Sequence, residues 1–230
     1  IAPFDHWAQE LVRTGYLHNH ARMWFASIWM HTLRLPWHLG ADLFLRHLLD
    51  GDPASTVLSW RWVAGLHTRG KSYRADASNI ARYTGGRFDV ATIGPLAPEA
   101  PPLDGPPHPE PGPVPQDADW DGSLRTGLVV HDDDLHPVFL LRRGLDPAAR
   151  AVLTAVDGRS PLMVSGAVRG FTDALARDAL GRLGGGTPTG EVAGILRWAD
   201  AEGLQQIVTP HAPTGPVRTR LDALAAAARE

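Results

Sequence analysis

The sequence predicts an α plus α/β protein: an all-helical part over residues 1–91, a Pro-rich linker over 92–118 and a small α/β domain over 119–230. Three observations carry that division. Six of the eight Trp lie in residues 1–62, within segments of helical spacing. Half of the 20 Pro lie in residues 95–115. Each of these rings fixes φ and removes a backbone donor, so the stretch forms neither helix nor central strand. It reads as an extended linker or a strap over the surface. After residue 119, strand-like and helix-like segments alternate, the pattern of a partly parallel sheet covered by helices.

The elements follow from local signals. From Asn19 to about Leu33 there is no Gly or Pro, and Pro36 ends the pattern. Asn19, Arg22, Met23, Ala26 and Met30 share one helical face. A second helix is expected from about Ala41 to Leu49, stopped by Gly51. Asp52-Pro53 starts a third, because Asp is a preferred N-cap and Pro is tolerated at the first helical position. On it Thr56, Ser59, Trp60 and Val63 share a face. In the last part Thr126–His131 and Ala151–Val156 read as strands, and Val168–Leu183 and Glu191–Glu202 as helices. Gln206–Thr209 reads as a strand and Val217–Ala228 as a closing helix. Gly184-Gly185-Gly186 lacks a nucleotide-binding fingerprint and reads as a helix-to-helix loop. Asp132-Asp133-Asp134 reads as an exposed acidic turn.

Composition narrows the function. The net charge is −3, too small for the whole chain to be a polyanion binder. The balance is +3 over residues 1–91 and −6 over 92–230, so a mildly basic, Trp-rich first part is the side suited to a phosphate backbone. With 0 Cys there is no disulfide scaffold, thiolate metal site or Cys nucleophile. No apolar run approaches the roughly 18 residues of a membrane span. The start, IAPFDHWAQELV, lacks a basic region and a cleavage motif, so it is not read as a signal peptide. A soluble cytoplasmic protein without a membrane partner is expected.

Three segments carry the chemistry: Leu17–Met23, Leu49–Asp52 and Ser59–Trp62. Arg22 is a fixed cation on a largely apolar helix, and Asp50 and Asp52 flank Gly51 at a helix junction. An Arg facing two carboxylates among Trp residues makes a buried charged network, which is unfavourable unless paired. Two readings stand. In one, a polar ligand completes the network. In the other, Asp52 only caps and Arg22–Asp50 only staples two helices. His18 and His20 are not a metal pair, since residues two apart on a helix do not face each other. A local hydrogen bond is expected of His18, and no metal site is expected.

The chain resembles the DNA photolyase/cryptochrome family, in the later part of its FAD-binding domain. The resemblance rests on Gly15-Tyr16-Leu17-His18-Asn19-His20-Ala21-Arg22-Met23, then Trp37, then Arg46-His47-Leu48-Leu49-Asp50-Gly51-Asp52, then Trp60-Arg61-Trp62. Order and spacing match throughout, with thirteen positions from Trp37 to Asp50 and eight from Asp52 to Trp60. It implies FAD as cofactor, held by Asn19, Arg22, Asp50, Gly51, Asp52 and Thr56. It implies that Asn19, His20, Met23 and Trp62 meet damaged DNA and its pyrimidine dimer, and that Trp60 and Trp37 form an electron relay. Trp24 and Trp29 are read as core. The activity implied is blue-light-driven electron transfer from FAD to the dimer, a lyase-type DNA repair. The alternatives are a cryptochrome-like light or redox sensor without repair, and a flavin-free helical binding domain.

The sequence departs from the family at three places. Thr56 stands where an Asn is usual. His20 stands where an Arg often contacts DNA phosphate, so that contact weakens at neutral pH. After Trp62 the usual pattern gives way to Gly65–Tyr73. The chain also resembles only the later half of a flavin domain, without an upstream phosphate-binding loop. Residues 119–230 loosely resemble the family's Rossmann-like antenna domain in element order, which would bring an antenna chromophore of unknown type.

Overall fold

The computed structural model describes residues 1–113 and 115–229. The chain divides into two compact units. The first comprises Ile1–Glu110 with Leu162–Val168, the second Pro111–Pro161 with Arg169–Glu230.

The first unit is helical. Helix α1 (Ala2–Thr14) starts on Pro3 and ends on Gly15, whose φ of 69° lets its N–H close on the Leu11 carbonyl. Trp7 and Leu11 form its buried stripe. Helix α2 (Asn19–Ser27) is capped by His18, whose Nδ1 accepts from the His20 N–H at 3.3 Å. The helix expected as far as Leu33 changes character midway. Ile28–Thr32 is a π-helical turn, closed by the Leu33 N–H on the Ile28 carbonyl at 2.9 Å. Such turns often mark functional sites.

Helix α3 (Trp37–His47) begins directly after Pro36, four residues earlier than the apolar spacing suggested. Helix α4 (Pro53–Val63) starts as expected: the Asp52 carboxylate accepts from the Ser55 N–H at 2.5 Å. Two short helices follow, α5 (Ala77–Tyr83) and α6 (Val90–Ile93), each capped by an Asp. Phe25, Ile28, Phe44, Leu48, Trp60 and Ile80 form the centre of one apolar core.

Helices α3 and α4 approach closely at Gly40. A Cβ there would run into the Trp60 ring. The Pro-rich segment then straps the same unit. Ala97 N donates to Thr32 Oγ1 at 3.0 Å, Leu103 N to the Ala64 carbonyl at 2.9 Å, and Ser72 Oγ to the Ala100 carbonyl. Leu96 and Leu103 pack on the core.

The second unit is a four-stranded sheet in the order β3-β2-β1-β4, parallel throughout rather than in part. Its strands are β1 (Thr126–His131), β2 (Ala149–Leu153), β3 (Thr187–Thr189) and β4 (Gln206–Val208). All six residues of β1 are buried, as a strand covered on both faces requires. Alternate side chains feed two cores: Val129 and Ala151 with Trp198 and Leu221 on one face, Leu128, Val130 and Val152 with Leu140 and Leu180 on the other. The helices are α7 (Val138–Arg142), α8 (Gly166–Arg182), α9 (Val192–Ala201) and α10 (Pro216–Ala227).

Two expectations need correction here. The Gly184–Gly186 run leads into β3, not from helix to helix, and Gly186 lies against the Arg150 carbonyl, where a Cβ would clash. Asp132 is not an exposed turn residue. It sits just past the end of β1, accepts the Ala155 N–H at 2.9 Å, and burial raises its carboxyl above the ordinary value. His131 beside it is fully buried, with Nε2 against the Pro210 carbonyl at 3.1 Å.

Gly40→Ala is expected to destabilise the first unit by about 1–3 kcal/mol through overpacking against Trp60, read as a lower denaturant midpoint. Burial also lowers the basicity of His31 and His47, the nearby Arg34 and Arg46 adding to the effect. Below about pH 6.5 the unfolded chain therefore takes up protons that the folded chain refuses, so stability falls as pH drops. His31→Leu is expected to flatten that slope in melts between neutral pH and pH 5.

Candidate functional site

The junctions of the first unit place the candidate residues. The Leu49 N–H donates to the Gly15 carbonyl at 2.9 Å, tying the end of α3 to the α1–α2 turn. That bond holds Asp50 opposite α2. Arg22 there donates from Nη2 to both Asp50 carboxylate oxygens, at 3.0 and 2.9 Å. Its Nε donates to the Leu17 carbonyl at 2.8 Å, which fixes the guanidinium from behind. The expected buried network of one Arg and two carboxylates is not what forms. Asp50 is 59% exposed, and Asp52 spends its carboxylate on capping α4. An exposed ion pair of this kind contributes about 0–1 kcal/mol to stability. The fold therefore does not depend on it.

Between α2, the end of α3 and α4 lies a cavity of about 410 Å³, a usual size for a cofactor or ligand site. Asn19, Arg22, Met23, Asp50, Thr56, Trp60 and Trp62 all line it, together with Ser59 from the predicted α4 face. Phe44, Leu48, Ser55, Leu58 and His67 line it too. Sequence reading missed those five. The apolar spacing of Phe44 and Leu48 on α3 is their only signal, and Ser55 and His67 carry none.

The walls are of two kinds. Phe44, Leu48, Met23 and Trp60 are apolar or aromatic, while Asn19, Ser55, Thr56 and Ser59 offer amide and hydroxyl groups. Arg22 and Asp50 stand at one side with opposite charges. Trp60 is 2% exposed, and its Nε1–H has no hydrogen-bond partner among the described residues. Such an orphaned donor is unfavourable unless something completes it. A planar heteroaromatic ring with carbonyl and N–H edges fits this donor set. Flat faces meet the apolar walls, and polar edges meet the hydroxyls, the Arg and the carboxylate.

Of the remaining candidates, Gly51, Asp52, His20 and Trp37 do not line the cavity. Gly51 is buried between the two Asp. His20 packs face to face with His18, Trp24 and Tyr83, each at a centroid distance of 5.7 Å. Trp62, 39% exposed, stacks on Tyr73 at 5.8 Å. Trp37 has ring contacts with His38 and with the Arg61 guanidinium, 5.9 Å from its centroid. Trp60 instead meets Trp29 edge to face, at 6.2 Å and 88°. Among the described residues no group of His, Asp and Glu could hold a metal ion, and no helix is long and apolar enough to cross a membrane.

Comparison with known proteins agrees with this geometry in the first unit. The family described as the FAD binding domain of DNA photolyase matches residues 4–88. A deoxyribodipyrimidine photo-lyase of Streptomyces griseus is 47% identical over 60 residues, 26% of this chain and 13% of the relative. One of Alkalihalophilus pseudofirmus is 37% identical over 65 residues, 28% of this chain and 14% of the relative. Cryptochrome-1 of Arabidopsis thaliana is 35% identical over 81 residues, 35% of this chain and 12% of the relative. The aligned stretch is thus a small part of each relative. No solved structure matches the chain. Residues 4–88, folded around a cavity of the right chemistry, are thus similar to the FAD-binding domain of DNA photolyase and cryptochrome, a domain whose cofactor is FAD.

Proposed function

We propose that the first unit holds the flavin ring of FAD in the α2–α4 cavity and serves light-driven repair of pyrimidine dimers in DNA. The observation that carries this reading is the convergence of Asn19, Arg22, Asp50, Thr56 and Trp60 on one cavity. Once bound, FAD supplies one-electron chemistry driven by blue light.

The chain's own residues bind and orient. Arg22, anchored by Asp50 and the Leu17 carbonyl, presents a fixed positive charge to an electron-rich ring edge. Asp50 keeps an exposed oxygen face for the ring's N–H donors. Asp52, with Gly51, holds the start of α4, so that Ser55, Thr56 and Ser59 face the cavity in register. Thr56 offers one hydroxyl where the family resemblance implies an amide, a smaller and more weakly polar contact. Asn19, exposed and lining the cavity, would serve both a ring and a base. Met23 and Trp62 form an apolar wall on which an extruded base dimer stacks.

A second reading, a cryptochrome-like sensor without repair, is favoured by one observation. His20 is stacked among His18, Trp24 and Tyr83 rather than extended as a cation. The second unit's parallel sheet supports an antenna-like role. A second chromophore released beside FAD tests it.

Arg22→Ala and Asp50→Ala are expected to lose FAD retention while unfolding within about 1 kcal/mol of the parent, since an exposed pair adds little stability. Retention of FAD by both variants contradicts the assignment. An oligonucleotide carrying a thymine dimer is expected to be restored under blue light and not in the dark. FAD-loaded protein that leaves the dimer intact supports the sensor reading.

A further inference from the structure

We infer that His67, held at the exposed end of the α2–α4 cavity by the Pro-rich strap, is a specificity-determining residue that hydrogen-bonds the polar edge of an extruded pyrimidine dimer. The inference rests on the flavin and repair readings above and adds a residue they leave without a role. Three observations carry it.

Placement comes first. The buried residues of the cavity lining include Phe44, Leu48, Thr56, Trp60 and Val63, whereas Trp62 and His67 are exposed. The two lie together because the chain doubles back after α4. The Leu66 and His67 N–H groups both donate to the Arg61 carbonyl, at 2.9 and 3.1 Å, and Gly65 takes a φ of 74° to allow it. His67 is thus brought back to the turn of α4 that carries Trp62.

The second observation is that this turn is clamped from outside. Leu103 N donates to the Ala64 carbonyl at 2.9 Å, Arg69 Nη2 to the Pro106 carbonyl at 2.6 Å, and Ser72 Oγ to the Ala100 carbonyl. Pro102 lies so close to Gly65 that a Cβ there would run into it. The prolines of the strap have φ already fixed, so the clamp gives up little chain entropy on forming. A donor held in place before its ligand arrives loses less affinity to ordering.

The third observation is chemical. From Trp60 onward, His67 is the lining residue whose side chain both donates and accepts, since Trp60 and Trp62 only donate and Val63 does neither. Its Nδ1 faces the Thr68 hydroxyl at 3.4 Å. With that hydroxyl donating, the neutral ring carries its proton on Nε2 and offers it outward. An extruded dimer leaves its pairing partners behind, so its carbonyl and imide edges arrive unpaired, and unpaired edges are unfavourable once water is excluded. Trp62 and Met23 cover ring faces. His67 supplies a partner for an edge. An undamaged pair stays stacked in the duplex and presents no such edge.

The test uses the full chain with FAD, the flavin content of every variant measured first. Each is titrated in the dark with a duplex carrying a thymine dimer and with its undamaged twin. The preference, the ratio of the two Kd values, is expected to fall about tenfold in His67→Ala, as loss of one such hydrogen bond implies. His67→Gln, whose amide N–H reaches the same region, is expected to recover most of it. His67→Phe, a flat ring without a donor, is expected to recover none, which a merely space-filling role would not predict. FAD-loaded His67→Ala or His67→Phe with the parent's preference overturns the assignment and leaves the flavin site standing. FAD-loaded parent that binds both duplexes alike overturns it together with the repair reading. A parent chain that takes up no FAD overturns the flavin reading and this inference with it.

Discussion

The helical unit depends on one constraint, the seating of the Trp60 ring where α3 and α4 cross. Gly40 leaves the gap, since any side chain there meets the ring. Phe25, Trp29 and Phe44 close round it edge to face. Such arrangements place positive ring edges against negative faces, and each adds about 0.5–1.5 kcal/mol beyond the area buried. The same ring lines the cavity. Packing and site are thus one object: what fixes α4 on α3 also sets the hydroxyl row of Ser55, Thr56 and Ser59.

Charge enters at the margin of this packing rather than within it. The Leu49–Gly15 backbone bond brings two turns together, and only then do Arg22 and Asp50 meet. A half-exposed pair contributes little to folding, so the helical unit does not rest on it. Asp52, by contrast, does structural work as the cap of α4 and is not drawn into the pair.

Much of this was legible in the residues. Asp52-Pro53 announces α4, and helical spacing puts Thr56, Ser59, Trp60 and Val63 on one face. The run TGLVVH announced a buried strand. What escaped had weak local signals. A π-helical turn has no sequence signature, so the helix from Asn19 was expected to run unbroken. Thr187–Thr189 is a three-residue edge strand containing Pro188, without alternation to read. The burial of Asp132 comes from the parallel sheet, which no triplet of Asp reveals.

The central claim is that the first unit, as it folds here, holds FAD. The most direct test is the visible absorption spectrum of the purified full chain after reconstitution with FAD, with the chromophore released by denaturation and identified. The account requires a flavin band whose fine structure shows a ring shielded from water, and release of FAD in a fixed molar ratio to protein. A colourless protein after reconstitution with excess FAD would contradict it and leave a helical domain without flavin.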